Sequence, residues 1–280
     1  MSRRWASLRR DVRWLAIPAG CLLLVGFAYP VGSLVSYSIT EPPGGLAHYA
    51  EFLGESAYVQ ILRNTFRTAA VVTAVCLVLG YPYAYLMATS GRTARLVLTL
   101  ALIVSLWTSL LVRTYAWLVI LDRNGPINSG LQTLGIIKEP LTLVHNQIGA
   151  SIGMVHILLP LMVLPLFAVM RNIDPRLVTA AQSLGAAPAR AFKDVFVPLS
   201  IPGVAAGCIL VFIVALGYYI TPALLGDAGS TMLGQLIASQ IRTLLNWGLG
   251  AAMAAVLLVV TAVLYVVFNR LLRVERVWGA

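Results

Sequence analysis

A chain of 280 residues is long enough for two soluble domains, yet 59% of it is hydrophobic and only 11% is charged. Soluble domains carry charge on roughly a quarter of their residues, so this composition excludes a water-covered globule and implies a membrane as solvent. The net charge of +10 would suit nucleic acid, but its placement along the chain assigns it to membrane orientation and anionic lipid headgroups instead.

Six stretches hold the about 20 apolar residues that a membrane-spanning helix needs. They are Trp14–Ile39, Asn64–Thr89, Leu96–Leu121, Ile148–Met170, Ile201–Leu225 and Gly248–Leu271. The expected fold is an all-α membrane protein of six transmembrane helices, a single transmembrane domain over residues 1–280. With six spans, fourteen basic residues fall on one side: Arg3, Arg4, Arg9, Arg10, Arg13, Arg92, Arg95, Arg171, Arg176, Arg190, Lys193, Arg270, Arg273 and Arg276. The other six, Arg63, Arg67, Arg113, Arg123, Lys138 and Arg242, lie on or near the opposite side, with most of the acids. This asymmetry puts both termini and the 171–203 loop in the cytoplasm. The basic start and long apolar run of the first span, without a convincing A-x-A-like site, read as an uncleaved span.

Along the chain, Glu41-Pro42-Pro43-Gly44-Gly45 is a turn. Tyr49, Phe52, Leu53, Tyr58, Ile61 and Leu62 then alternate with polar residues, as in a short helix at the membrane interface. Gly80-Tyr81-Pro82-Tyr83 predicts a proline kink that serves packing. The three cysteines, Cys21, Cys76 and Cys208, lie inside spans with no metal spacing and read as small packing residues. Span three carries the one ionisable residue well inside a span, Arg113, between Trp107 and Trp117. A charge there faces the interior or a water-filled path by default; snorkelling to the interface or a structural pairing is the open alternative. Asn124-Gly125-Pro126 is a turn and Leu131–Ile137 a short helix. His145 and His156 stand apart from carboxylates and are assigned no metal. Pro160 and Pro165 kink the fourth span, and Gly203-x-x-x-Gly207 predicts close helix packing in the fifth. Gly217-Tyr218-Tyr219-Ile220-Thr221-Pro222 breaks that span near its outer end.

The longest polar interruption is Arg171–Gly203. Asp174-Pro175 opens a helix, since Asp caps orphan N–H groups and Pro suits the first turn. Leu177, Ala180, Ala181 and Leu184 share one face of it. Gly185 supplies the positive φ that ends it. A second helix is expected from Pro188 to Val197, ended by Pro198. No phosphate loop, nucleophile elbow or acid pair appears anywhere, so any energised work needs a partner to burn the fuel.

Ala180-Ala181, three residues, Gly185, nine residues and Val195-Phe196-Val197-Pro198 resemble the cytoplasmic signature of ABC importer permeases, Glu-Ala-Ala, three residues, Gly, nine residues, Ile-x-Leu-Pro. Thr179 stands where that signature has its acid. Asn64-Thr65, Arg113-Thr114-Tyr115-Ala116-Trp117 and Gly217–Pro222 resemble the spermidine/putrescine branch, first-permease type. The resemblance implies a type I importer fold whose helix–turn–helix loop couples to an ABC ATPase dimer through Thr179, Ala180, Ala181, Gly185, Phe192, Val195, Phe196 and Pro198. It also implies a second permease subunit, a periplasmic solute-binding protein and the bacterial inner membrane, with ATP and magnesium held by the ATPase and no cofactor by this chain.

For a polyamine, carboxylates and aromatic faces suit a cation; Trp107, Tyr115, Tyr218, Tyr219, Thr221 and Asp227 are the candidate path residues, with Arg113 among them. A cation avoids Arg113 unless its charge is neutralised, which keeps a zwitterionic or anionic amine-bearing solute open. A channel or ion-coupled carrier would call for paired intramembrane charges or inverted repeats, which the sequence lacks.

Overall fold

A computed structural model of the chain describes residues 2–272. Among the described residues the regular structure is helical throughout. Arg273 and Arg276 of the basic tail lie outside the described residues, as do the side chains of Arg3, Arg4, Arg9, Arg10 and Arg13. The described chain forms two compact units, one running up to Glu55 and taking in Ile237–Val256, the other Ser56–Leu236 with the chain from Leu257 on.

In the first unit, α1 spans Ser2–Thr40 and α2 spans Ala47–Gly54. The turn between them uses two glycines at positive φ, Gly44 at +78° and Gly45 at +65°, a region open to residues without a Cβ. The Ser38 and Tyr49 hydroxyls share a hydrogen bond of 2.7 Å, tying α2 back onto α1. Phe52 is fully buried, while most apolar side chains of α1 between Gly20 and Thr40 are exposed, as a lipid-facing helix requires.

The second unit holds the core. α3 runs Ser56–Thr89, α4 Arg92–Trp107, α5 Leu110–Leu121, α6 Pro126–Thr133 and α7 Gln147–Met170. Then come α8, Pro175–Ser183, and α9, Pro188–Ala191, which leads through a π-helical turn, Phe192–Phe196, into α10, Val197–Leu216. α11 covers Ile220–Leu225; α12 (Leu233–Arg242) and α13 (Trp247–Leu272) each have residues in both units. Among the described residues five helices are long and apolar enough to cross a membrane, six if one bent pair counts as a span.

α7 is apolar around its whole circumference, and such a helix belongs in the middle of a bundle. It packs between α3 and α10, burying Met154, Leu158, Met162 and Leu166 against Ala69, Val72 and Cys76 of α3 and Val211 and Ala215 of α10. Small residues set the approach. A Cβ on Gly80 would lie 2.9 Å from Met162 Cγ; one on Gly203 would lie 3.2 Å from Leu166 Cα; one on Gly207 would lie 3.1 Å from the Met162 carbonyl. Gly203-x-x-x-Gly207 thus packs closely as expected, and Gly80-Tyr81-Pro82-Tyr83 serves packing.

Four expectations change. The third span is broken: α4 and the helical stretch from Leu110 on meet at 99° across Thr108-Ser109. The second span starts eight residues early, so Tyr58, Ile61 and Leu62 belong to its first turns and only Tyr49, Phe52 and Leu53 to the short interfacial helix. In the second outer loop the helix is Pro126–Thr133, opened by Pro126 itself, and not Leu131–Ile137. Finally, Pro198 ends nothing. A proline removes a donor and crowds the carbonyl four residues back; the chain absorbs this with the π-helical turn just before it, where the Val197 N–H reaches the Phe192 carbonyl five residues back. The helix therefore runs unbroken from Pro188 to Leu216.

Candidate functional site

Between α7 and α10 the chain leaves the bundle as a knob. Its first helix is opened by Asp174, whose carboxylate accepts from the Arg176 N–H at 2.9 Å, with Pro175 in the first turn. It closes in a Schellman arrangement: the Ala186 N–H donates to the Ala181 carbonyl at 3.1 Å and the Gly185 N–H to the Gln182 carbonyl at 2.9 Å. Gly185 takes φ +94°, with nothing within 4 Å of where a Cβ would sit, so backbone strain alone demands glycine there. Arg190 and Asp194 form an exposed ion pair at 3.5 Å one turn apart.

The knob has two faces. The inner one is held to the bundle by an aromatic clamp: Phe192 and Phe196 stack with centroids 5.4 Å apart, and Tyr85 at the end of α3 meets them edge-on at 5.3 and 5.1 Å. Val178, Thr179 and Gln182 of α8 turn to this side and line a pocket of about 680 Å³. Thr179 spends its hydroxyl on the Pro175 carbonyl at 3.3 Å. The outer face is apolar and uncovered: Leu177 is 48% exposed and Leu184 is 89% exposed, with Ala180 exposed and Ala181 half-buried between them. Val195 is half-buried and Pro198 exposed. Exposed leucines below a membrane boundary, joined by small residues, mark a surface that expects a partner.

Elsewhere in the second unit, α5 and α11 meet. The Thr114 and Thr221 hydroxyls are 3.3 Å apart, joining α5 to α11, and both residues are fully buried. The Trp117 indole N–H donates to His156 Nδ1 at 3.1 Å, the structural hydrogen-bonded role expected for a lone histidine. Arg113, one turn before Trp117, has its Nε and Nη1 buried without a hydrogen-bond partner among the described residues. Tyr218 and Tyr219 occupy the gap between α10 and α11, half-buried, with the carbonyls of Gly217 and Tyr218 covered by Gly234. Trp107, at the α4–α5 break, is 87% exposed and Tyr115 is 57% exposed. Asp227 caps the turn that follows α11; the Ser230 hydroxyl and neighbouring amides hold its carboxyl below the usual carboxylate range.

Sequence reading missed several of these roles. Asn64 donates to the Gly229 carbonyl at 2.5 Å and Thr65 accepts from the Leu233 N–H at 2.8 Å, so this pair pins the outer loop to α3. Tyr85 gave only one signal, an aromatic residue at the end of a span. Arg95, read as a topology charge, also caps α3, donating to the carbonyls of Met87 at 3.0 Å and Ser90 at 2.9 Å.

Residues 80–274 match the family described as the binding-protein-dependent transport system inner membrane component. The chain belongs to that family. This permease is 35% identical over 213 residues to the spermidine/putrescine transport system permease protein PotB of Haemophilus influenzae, covering 76% of this chain and 74% of that one. Against PotB of Escherichia coli K12 it is also 35% identical, over 225 residues, covering 80% and 82%. Its fold is similar to that in the crystal structure of a bacterial ABC transporter involved in import of the acidic polysaccharide alginate, with TM-score 0.73, 17% identity and 97% and 99% coverage. The permease is a multi-pass protein of the inner membrane.

Proposed function

We propose that this permease lines the path of an ATP-driven importer for a small amine-bearing solute of the spermidine/putrescine class, and that its knob docks a partner ATPase. The observation that carries the docking is the exposed face of α8, where Leu184 is 89% exposed on a knob otherwise clamped to the bundle. The chain itself is non-catalytic; ATP and magnesium belong to an ABC ATPase dimer, and a second permease subunit and a periplasmic binding protein complete the assembly. Both termini and the knob lie in the cytoplasm, a reading supported by the basic residues flanking the helix ends on the knob's side, Arg92, Arg95 and Arg171. Uptake by the reconstituted transporter tests this: import that persists when the ATPase is inactivated refutes it.

The substrate class is supported by the 35% identity to the two PotB proteins and by Tyr218, Tyr219 and Asp227 at the outer break. One observation favours a second reading. The unpartnered Nε and Nη1 of Arg113 would suit an anionic or zwitterionic amine-bearing solute better than a bare polycation. Thermal stabilisation of the cognate binding protein separates the two. Polyamines that stabilise it support the first reading, and stabilisation by carboxylate-bearing solutes alone overturns it.

A further inference from the structure

Among the described residues, the pocket of about 680 Å³ between the knob and the bundle is lined by two guanidinium-bearing residues, Arg95 and Arg171, and by no carboxylate. Thr179, uncharged where the family signature has its acid, leaves it so. Among the described residues Arg95 bonds neutral carbonyls at the end of α3 through Nε and Nη2, which leaves its charge uncancelled. Arg171 is exposed and makes no ion pair among the described residues. The rest of the lining is apolar at one side, with Ile173, Val178 and Phe192. Its height is fixed by helix ends. α3 stops at Thr89, α4 starts at Arg92 and α7 stops at Met170, so Arg95 and Arg171 lie within about one turn, roughly 5 Å, of where the spans end. That is the headgroup level of the leaflet on the knob's side, where basic pockets between helices select anionic lipids.

We propose that this pocket seats one anionic glycerophospholipid, its phosphate between Arg95 and Arg171 and its glycerol and upper chain against Ile173, Val178 and Phe192. A lipid there touches the bundle and the inner face of α8 together, leaving the exposed leucine face free for the ATPase. The site makes coupling between knob and bundle dependent on anionic lipid. The lipid itself requires only that the knob lie at a membrane surface; the consequence for coupling rests on the docking reading above, and the two are tested apart.

The assembled transporter, delipidated in detergent and given phosphatidylglycerol, phosphatidylcholine or inorganic phosphate, is measured by native mass spectrometry. The expected result is retention of one phosphatidylglycerol per copy of this chain, no retention of phosphatidylcholine, and no displacement by inorganic phosphate in millimolar excess. Arg171→Gln, which leaves the α3 cap intact, weakens retention roughly five-fold, the share of one cation near an anionic headgroup. A benzophenone side chain at Thr89, on the pocket's rim, then gives an adduct of lipid mass. Equal retention in wild type and Arg171→Gln overturns the site. Displacement by inorganic phosphate makes it a pocket for a soluble phosphoanion instead, and a Thr89 adduct with the ATPase subunit makes it part of the ATPase groove. None of these readouts uses ATP turnover, so an error in the docking reading leaves them unaffected. Phosphatidylglycerol-dependent stimulation of ATPase activity, lost in Arg171→Gln, tests the coupling consequence separately.

Discussion

Leu184→Ala isolates what the outer face of the knob does. The side chain is 89% exposed in the permease, so truncating it removes almost no packing from the free subunit. The turn that follows is held by backbone hydrogen bonds, Ala186 to Ala181 and Gly185 to Gln182, that no side chain at 184 supplies. Covering a leucine completely on docking contributes about 2 kcal/mol. Its loss therefore weakens ATPase association roughly thirty-fold, with the permease's own melting temperature unchanged. The assay is titration of the purified ATPase onto the permease pair in nanodiscs, with thermal unfolding of the permease alone as control. Unchanged affinity refutes the docking face. A large drop in melting temperature refutes the claim that Leu184 is idle in the free subunit.

Three further outcomes follow from the same structure. Gly185→Val puts a β-branched residue at φ +94°; backbone strain of about 1–3 kcal/mol opens the knob's turn, so the variant inserts at normal level but transports poorly, as solute uptake in vesicles will report. Gly207→Leu drives a side chain into Met162, whose carbonyl lies 3.1 Å from even the first added carbon; a cost of about 1–3 kcal/mol or more lowers both melting temperature and the yield of assembled transporter. Arg113→Met removes two buried donors that have no partner among the described residues, each worth about 1–3 kcal/mol of unrecovered desolvation. The melting temperature holds or rises while solute uptake changes; loss of assembly would make Arg113 a structural residue.

What could be read from the sequence was whatever depends on composition and on short-range backbone rules. Apolar length gave the spans, and the Asp174-Pro175 start and Gly185 stop of α8 hold because caps and positive φ are local properties. Gly217 marked the break in the fifth span for the same reason. The break at Thr108-Ser109 left no such mark: no proline or glycine stands there, yet the helices on either side meet at 99°. Pro198 misled because a local rule, that proline stops a helix, was overridden by a π-helical turn that the sequence does not announce. Side-chain partnerships were the least legible. Asn64 and Thr65 pair with residues more than 160 positions away, and Tyr85 meets Phe192 only because α3 and the knob end at the same height. The resemblance implied Phe192 and Phe196 among the coupling residues, and in the fold both rings meet Tyr85 of their own bundle.

The unbroken run from Pro188 to Leu216 has a mechanical consequence. Its 29 residues make a bar about 43 Å long. Gly203 and Gly207, pressed against α7, stand next to its midpoint, where a fulcrum would be. A tilt of about 10° about that point carries each end through about 4 Å in opposite directions. One end begins in the knob and the other stops at Gly217, beside Tyr218 and Tyr219. Had Pro198 severed the helix, displacement of the knob would have died in a hinge at the membrane surface. Instead the π-helical turn keeps the helix continuous, so a rigid tilt about the two glycines moves its ends in opposite directions.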